Sequence, residues 1–140
     1  MPNGKTHDKI SIGFLPILLV ILYFIGFTES MPMIIITISY LFASFMFNGD
    51  LDLHSTPYNR WSILKFIWKP YQKMFHHRSI FTHGLIIGTV VRLVYLFILP
   101  FIVMYLLNFD MSQFLTIEAF YVVIGLECGA ALHTICDYLF

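Results

Sequence analysis

Met31-Pro32-Met33-Ile34-Ile35-Ile36-Thr37-Ile38-Ser39-Tyr40-Leu41-Phe42-Ala43-Ser44-Phe45-Met46-Phe47-Asn48-Gly49 runs nineteen residues without a charged side chain, and Asp50-Leu51-Asp52-Leu53-His54 follows at once. Such a run matches the roughly 20 residues that carry a helix across a hydrocarbon core of about 30 Å. It lacks the alternation of a barrel strand, and in lipid only helices and closed barrels satisfy their own backbone. Three more runs of similar length flank it. Residues 10–28 carry no charge, residues 84–108 are interrupted only by Arg92, and residues 114–140 carry Glu118, Glu127, His133 and Asp137. The expectation is an all-α, single-domain polytopic membrane bundle over 1–140, with four transmembrane helices at 10–28, 31–49, 84–108 and 114–140.

Composition points the same way. Of 140 residues, 59% are hydrophobic and 11% charged, against about a quarter charged in soluble domains. A soluble fold this small would leave much of that apolar surface in water. The formal net charge is zero, so nothing in it favours nucleic acid, and the placement of the charges carries the information. Cys128 and Cys136 share one apolar run and read as packing residues rather than a disulfide framework. The charged N-terminus ahead of the first run resembles a signal-peptide start. No small-residue cleavage pattern closes that run, so it is expected to be retained.

Lys5, Lys9, Arg60, Lys65, Lys69, Lys73 and Arg78 all fall in the N-terminal tail or in the link 50–83, while the short turns hold Glu29 and Asp110 and no lysine or arginine. The positive-inside rule therefore places the tail, the long link and the C-terminal end in the cytoplasm. Within the link, the stretch from Arg60 to Lys73 mixes Trp61, Trp68 and Tyr71 with lysines at helical spacing. It predicts a short interfacial helix with its aromatics at headgroup depth and its lysines facing anionic lipid.

The chemistry gathers at that same face. His133 lies roughly 28 Å along the last helix from Phe114 at 1.5 Å per residue, and Asp137 stands one turn further on the same side. Four separate stretches thus converge: Thr6-His7-Asp8, Asp50-Leu51-Asp52-Leu53-His54, His77-Arg78-Ser79-Ile80-Phe81-Thr82-His83, and His133-Thr134-Ile135-Cys136-Asp137. Imidazole and carboxylate are the ligand set of zinc and related divalent ions, and ionisable groups kept at a bilayer point to function. One of Asp50 and Asp52 is placed to bridge two ions, so more than one ion is allowed for. Deeper in the bilayer, Arg92 and Glu127 sit at similar depth and are expected to pair.

These motifs resemble a bacterial family of metal-binding membrane proteins of unknown function, whose members begin with a Gly-Lys-Thr-His-Asp-like tail. They are more distantly similar to the YdjM-like inner-membrane metal-dependent hydrolases. The likeness rests on Gly4-Lys5-Thr6-His7-Asp8, Asp50-Leu51-Asp52-Leu53-His54-Ser55, His77-Arg78-Ser79-Ile80-Phe81-Thr82-His83-Gly84 and His133-x-x-x-Asp137, and covers nearly the whole chain. The resemblance implies a remote kinship with the zinc phospholipase C and single-strand nuclease superfamily, and residence in a bacterial inner membrane. It also implies His7, Asp50, His77, His83, His133 and Asp137 as metal ligands, with Asp52 and His54 next. Two features depart from the hydrolase pattern. Leu53 separates Asp52 from His54 where Asp-x-Asp-His is usual, and the Thr-Pro turn that often follows the His-x-x-x-Asp helix is not among these residues.

A catalytic site of this kind would act on phosphoesters, with a phospholipid or lipid-linked phosphate as the substrate class that a membrane surface offers. Asp52 is then the candidate base and Arg78 the candidate phosphate ligand. Arg60 is the lesser candidate, with lipid headgroup contact as its alternative. The rival expectation is a metal-binding membrane protein without catalysis, serving as a sensor, a store or a docking platform for a partner.

Overall fold

The computed structural model describes residues 4–139. Among these the regular structure is entirely helical, and four helices are long and apolar enough to cross a membrane. Helix α1 covers Gly4–Phe24 and α2 covers Ser30–Met46. The link holds α3 (Thr56–Arg60), α4 (Trp68–Met74) and the single turn α5 (Ile80–His83). Helices α6 (Ile87–Leu106) and α7 (Ile117–Leu139) complete the bundle. The last residue of the fourth predicted span, Phe140, lies outside the described residues.

The boundaries differ from expectation where it matters. Helix α1 starts six residues before the predicted position, so Lys5, His7, Asp8 and Lys9 stand on its first turns rather than in a tail. Gly4 permits this start: a Cβ there would lie 2.5 Å from the Thr56 hydroxyl, so the helix end presses on α3. Helix α2 ends at Met46, and a 3-10 turn, Gly49–Asp52, presents the two aspartates.

Helices α1 and α6 close at the end of the bundle opposite to that turn, and with the same device. Gly26 (φ 108°) and Asn108 (φ 54°) are left-handed. The next amides, of Phe27 and Phe109, donate to the carbonyls of Leu22 and Met104. This is the paired-carbonyl cap that glycine and asparagine supply at least cost.

The tightest packing joins α2 and α7. A Cβ on Gly125 would sit 2.5 Å from the Ile36 carbonyl, and one on Gly129 would sit 2.5 Å from the Tyr40 carbonyl. Two small residues four apart let the helix backbones meet, as small-xxx-small faces do in apolar surroundings. Tyr40 adds a bond from its hydroxyl to the Ser11 carbonyl (2.8 Å), tying α2 to α1. Helix α6, by contrast, buries only Gly88, Thr89 and Arg92.

The link folds as a cap on the bundle, and the one short helix expected within 60–73 is broken into pieces. Ser62 adopts φ 50° and breaks the chain into α3, the 3-10 segment Ser62–Ile67 and α4. Pro70 falls in the first turn of α4, where its missing N–H is not needed. Trp68 and Tyr71, expected at headgroup depth, are both 0% exposed. They pack with Phe47 and Leu51 in one cluster, because the edge and tilted contacts among Phe47, Trp68, Tyr71 and Tyr95 (5.1–5.8 Å between centroids) bury more ring than an outward pose would. Trp61 Nε1–H donates to the Met46 carbonyl (2.8 Å), and the Gln72 amide donates to the carbonyls of Leu51 (3.1 Å) and Leu53 (3.0 Å). The cap therefore grips the 3-10 turn from outside.

Candidate metal centre

The aspartate turn is held rigidly. Asn48 anchors to the Ser44 carbonyl (2.9 Å) and accepts from the Asp50 amide (3.2 Å), while the Ser55 hydroxyl donates to the Asp50 carbonyl (2.7 Å). Asp50 is thereby turned towards α7 and Asp52 towards the α4–α5 segment. Because α7 is pressed on α2, its last turns bring His133 and Asp137 beside Asp50. His83, at the end of α5, completes the group.

Asp50, His83, His133 and Asp137 each offer a donor atom within 4.8 Å of every other. His133 Nε2 lies 3.4 Å from Asp50 Oδ2 and 3.4 Å from Asp137 Oδ2. His83 Nε2 lies 3.6 Å from Asp50 Oδ1 and 3.7 Å from Asp137 Oδ2. These separations exceed the 2.7–3.2 Å usual for hydrogen bonds. The two from His133 fall within, and the two from His83 at or just beyond, the edge of about 3.3–3.6 Å between neighbouring donors around a tetrahedral ion held at roughly 2.0–2.2 Å. His83 Nε2, His133 Nε2, Asp50 Oδ1 and Asp137 Oδ2 are buried without a hydrogen-bond partner. Orphaned buried polar atoms are costly, and one cation among them would satisfy the set at once. Two carboxylates with two neutral imidazoles also balance a charge of 2+, which a poorly hydrated site requires.

The Thr82 hydroxyl sets the His83 tautomer. Thr82 Oγ1 lies 3.2 Å from the Ser79 carbonyl, to which it donates, and 3.0 Å from His83 Nδ1. The hydroxyl therefore accepts from Nδ1–H, leaving the Nε2 lone pair directed at the cluster. Without a cation, burial works to lower the His83 pKa, but the carboxylates of Asp137, Asp50 and Asp52 overcome it and raise it to about 9.

A second grouping, Asp52, His77 and His83, shares a histidine with the first. Asp52 Oδ1 is 2.9 Å from His77 Nδ1, and its Oδ2 is 3.7 Å from His83 Nδ1. A neutral imidazole has one lone pair, so His83 can serve only one group at a time. With His83 engaged through Nε2, Asp52 and His77 remain as a carboxylate–imidazole pair. The side chain of Asp52 is 0% exposed, so it lacks the solvent contact that the expected base would need.

The other expected residues divide clearly. His7 on α1 lies 3.2 Å from Asp137 Oδ1, with its ring 4.3 Å from that of His133, so it backs the cluster from the far side. His54 is exposed, lies tilted against the Tyr58 ring (4.9 Å between centroids) and belongs to neither group. Arg60 is spent on a bidentate bond to Asp8 and on the Phe45 carbonyl (3.0 Å), which leaves it no free fork for phosphate. Arg78 is exposed at the mouth and, with His83, Asp137 and Tyr138, lines a cavity of about 50 Å³. Its φ of 58° is left-handed, a conformation that costs a non-glycine residue on the order of 1 kcal/mol and that recurs at functional sites.

The expected Arg92–Glu127 pair is not formed. Arg92 Nη1 donates to the Thr82 carbonyl (2.7 Å) and Nη2 to Thr89 Oγ1 (3.1 Å), and the guanidinium lies 5.5 Å from the Phe47 ring centroid. Glu127 accepts instead from the Ile86 amide (2.8 Å) at the entrance to α6, where Ile86 itself has φ 63°. The backbone groups freed at the α5–α6 junction outcompete a direct pair for both side chains. Thr82 and Arg92, which brace His83, were not assigned that role from sequence. The signal was present in Thr82 inside the histidine block and in one arginine within an apolar run, but only the fold identifies whom they serve.

The profile of the family described as uncharacterized metal-binding protein (DUF2227) matches residues 2–140. An uncharacterized protein of Aquifex aeolicus (strain VF5) is 36% identical over 121 residues, spanning 71% of this chain and 85% of that relative. No solved structure matches the chain.

Proposed function

The chain belongs to that metal-binding family, and from this premise we propose a multi-pass membrane protein whose Asp50–His83–His133–Asp137 centre holds one divalent cation, zinc foremost, and hydrolyses phosphoesters. Its site end faces the cytoplasm of a bacterial cell, because every lysine and all arginines but the buried Arg92 lie at that end. The observation that carries the reading is the set of buried, unpartnered donor atoms beside a small cavity with Arg78 at its edge.

When bound, the cation supplies Lewis acidity, lowering the pKa of a water and polarising a phosphoryl oxygen. The chain supplies the rest. Arg78 offers a planar fork to two phosphoryl oxygens. Asp52 holds His77 Nδ1–H, so the other ring nitrogen, Nε2, is free to take a proton, and the role of base passes from Asp52 to His77. Thr82 and Arg92 keep the His83 lone pair aimed at the centre. Ile80 and Phe81, between Arg78 and His83, are 59% and 50% exposed and favour a phosphate carried on an apolar group, such as a phospholipid or lipid-linked phosphate. The similarity of the sequence motifs to the YdjM-like hydrolases supports the same class.

One observation favours a second reading. Four side-chain donors complete a tetrahedron, as in structural rather than catalytic zinc sites, which suits a sensor, store or docking protein. Metal analysis of purified wild type, His133→Ala and Arg78→Ala, followed by assays on phosphodiester and lipid-phosphate substrates, separates the two. Hydrolysis expects metal in wild type and Arg78→Ala, with turnover lost in the latter. Metal in wild type without turnover on any substrate would leave the structural reading standing alone.

A further inference from the structure

The cap formed by the link carries a second feature, lined by none of the centre's residues. Asn59, Ser62, Ile63, Lys65, Phe66 and Lys69 surround an open depression of about 590 Å³, within the size range of ligand sites. Lys65 and Lys69 are exposed and make no ion pair among the described residues; Lys65 Nζ lies 6.0 Å from the Tyr58 ring centroid. The acids of this end are all engaged. Asp8 is bound to Arg60, Asp50 and Asp137 belong to the metal centre, and Asp52 is paired with His77. A chain of zero net charge thus presents a uniformly basic outer surface here. Next to those two cations, Ile63 is 84% and Phe66 61% exposed. The folding that took Trp68 and Tyr71 into the core left these two apolar side chains outside.

We propose that this depression is a binding site for one anionic phospholipid, its phosphate held by Lys65 and Lys69 and its acyl chains lying along Ile63 and Phe66. A basic pair contiguous with exposed apolar side chains fits an amphiphile with a charged head. A soluble anion would leave Ile63 and Phe66 in water, and a neutral lipid would leave the lysines uncompensated. Asn59 and Ser62 supply an amide and a hydroxyl for the polar remainder of the headgroup. The site rests on the membrane reading above, since the cap at the end of four spanning helices then lies at headgroup depth.

The test titrates detergent-solubilised protein, followed by native mass spectrometry, with phosphatidylglycerol, phosphatidylcholine, glycerol phosphate and inorganic phosphate. Near a membrane surface each lysine is worth roughly fivefold in affinity for anionic lipid, so wild type should prefer phosphatidylglycerol to phosphatidylcholine by about 25-fold. Lys65→Gln/Lys69→Gln should abolish that preference at unchanged metal content. Lys65→Arg/Lys69→Arg and Lys5→Gln/Lys9→Gln should keep it. A preference that survives Lys65→Gln/Lys69→Gln, one lost equally in the Lys5/Lys9 variant, or inorganic phosphate competing as well as the lipid would each overturn the proposal. Recovery of the protein in the soluble fraction without detergent would refute the membrane reading separately, while the lipid selectivity would still be read from the same titration.

Discussion

Gly49→Ala tests whether His83 is a metal ligand without altering any donor. A Cβ on Gly49 would lie 2.8 Å from His83 Nε2, 2.9 Å from Cδ2 and 3.0 Å from Cε1, where ordinary contact begins near 3.4 Å. The ring must therefore withdraw by about 0.6 Å, beyond the roughly 0.2 Å that metal–ligand distances tolerate. It cannot swing freely, because Nδ1 is held by Thr82 and the Thr82 carbonyl by Arg92. The backbone at Gly49 is not left-handed, so alanine adds no strain of its own. Displacing one ligand's support typically costs 10–100-fold in metal affinity, about 1.4–2.7 kcal/mol. Zinc affinity of detergent-purified protein, measured by competition with a chromophoric chelator, should fall by that amount. Gly13→Ala is the control, since a Cβ there meets nothing within 4 Å. Wild-type affinity in Gly49→Ala, with helicity intact, would refute His83 as a ligand and with it the four-donor centre.

Arg92→Met strands the Thr82 carbonyl, so it should cost about 1–3 kcal/mol of stability and weaken zinc binding. Glu127→Gln keeps an acceptor for the Ile86 amide and should cost well under 1 kcal/mol. Equal losses by thermal unfolding would restore the ion-pair expectation. The His83 pKa in the metal-free protein is raised to about 9. Its protonation therefore stabilises the metal-free fold fully below about pH 6.5, and that contribution is lost as pH climbs through 9. Because zinc must displace this proton, apparent affinity should rise up to tenfold per pH unit from this group between those limits, then level off. A flat profile in chelator competition from pH 6 to 10 would contradict it. Gly129→Leu drives a side chain into the Tyr40 carbonyl 2.5 Å away. It should cost about 1–3 kcal/mol and lower zinc occupancy by moving His133, as unfolding and metal analysis would report. Chelation of the loaded protein should lower its unfolding temperature, by the equivalent of about 2.7 kcal/mol when free zinc had stood at 100 times Kd. Unchanged unfolding after metal removal would argue against a resident ion.

Four long helices and the end at which chemistry gathers could be read directly from the chain. Uncharged runs near 20 residues admit few structures other than helices, and His133-x-x-x-Asp137 occupies one face whatever surrounds it. The limits of local reading show in particular residues. His7 looked like part of a tail, because nothing local announces that α1 begins at Gly4; its close seat on Thr56 does. His54 carries the same imidazole as His83 and is as near to Asp52 in the chain as Asp50 is, yet it lies against Tyr58 outside. Trp68 and Tyr71 have the composition of an interfacial belt and instead form the cap's core.

Helical class and donor chemistry are legible from single segments, because hydrocarbon-length apolar runs and ligand types are local properties. Which donors meet is set by packing between segments. The Gly125–Gly129 approach sets the height of His133 and Asp137 against Asp50. The competition for freed backbone groups at the α5–α6 junction assigns Arg92 and Glu127 to Thr82 and Ile86 instead of to each other. Such choices depend on energies summed between segments distant in the chain, and no single stretch encodes them.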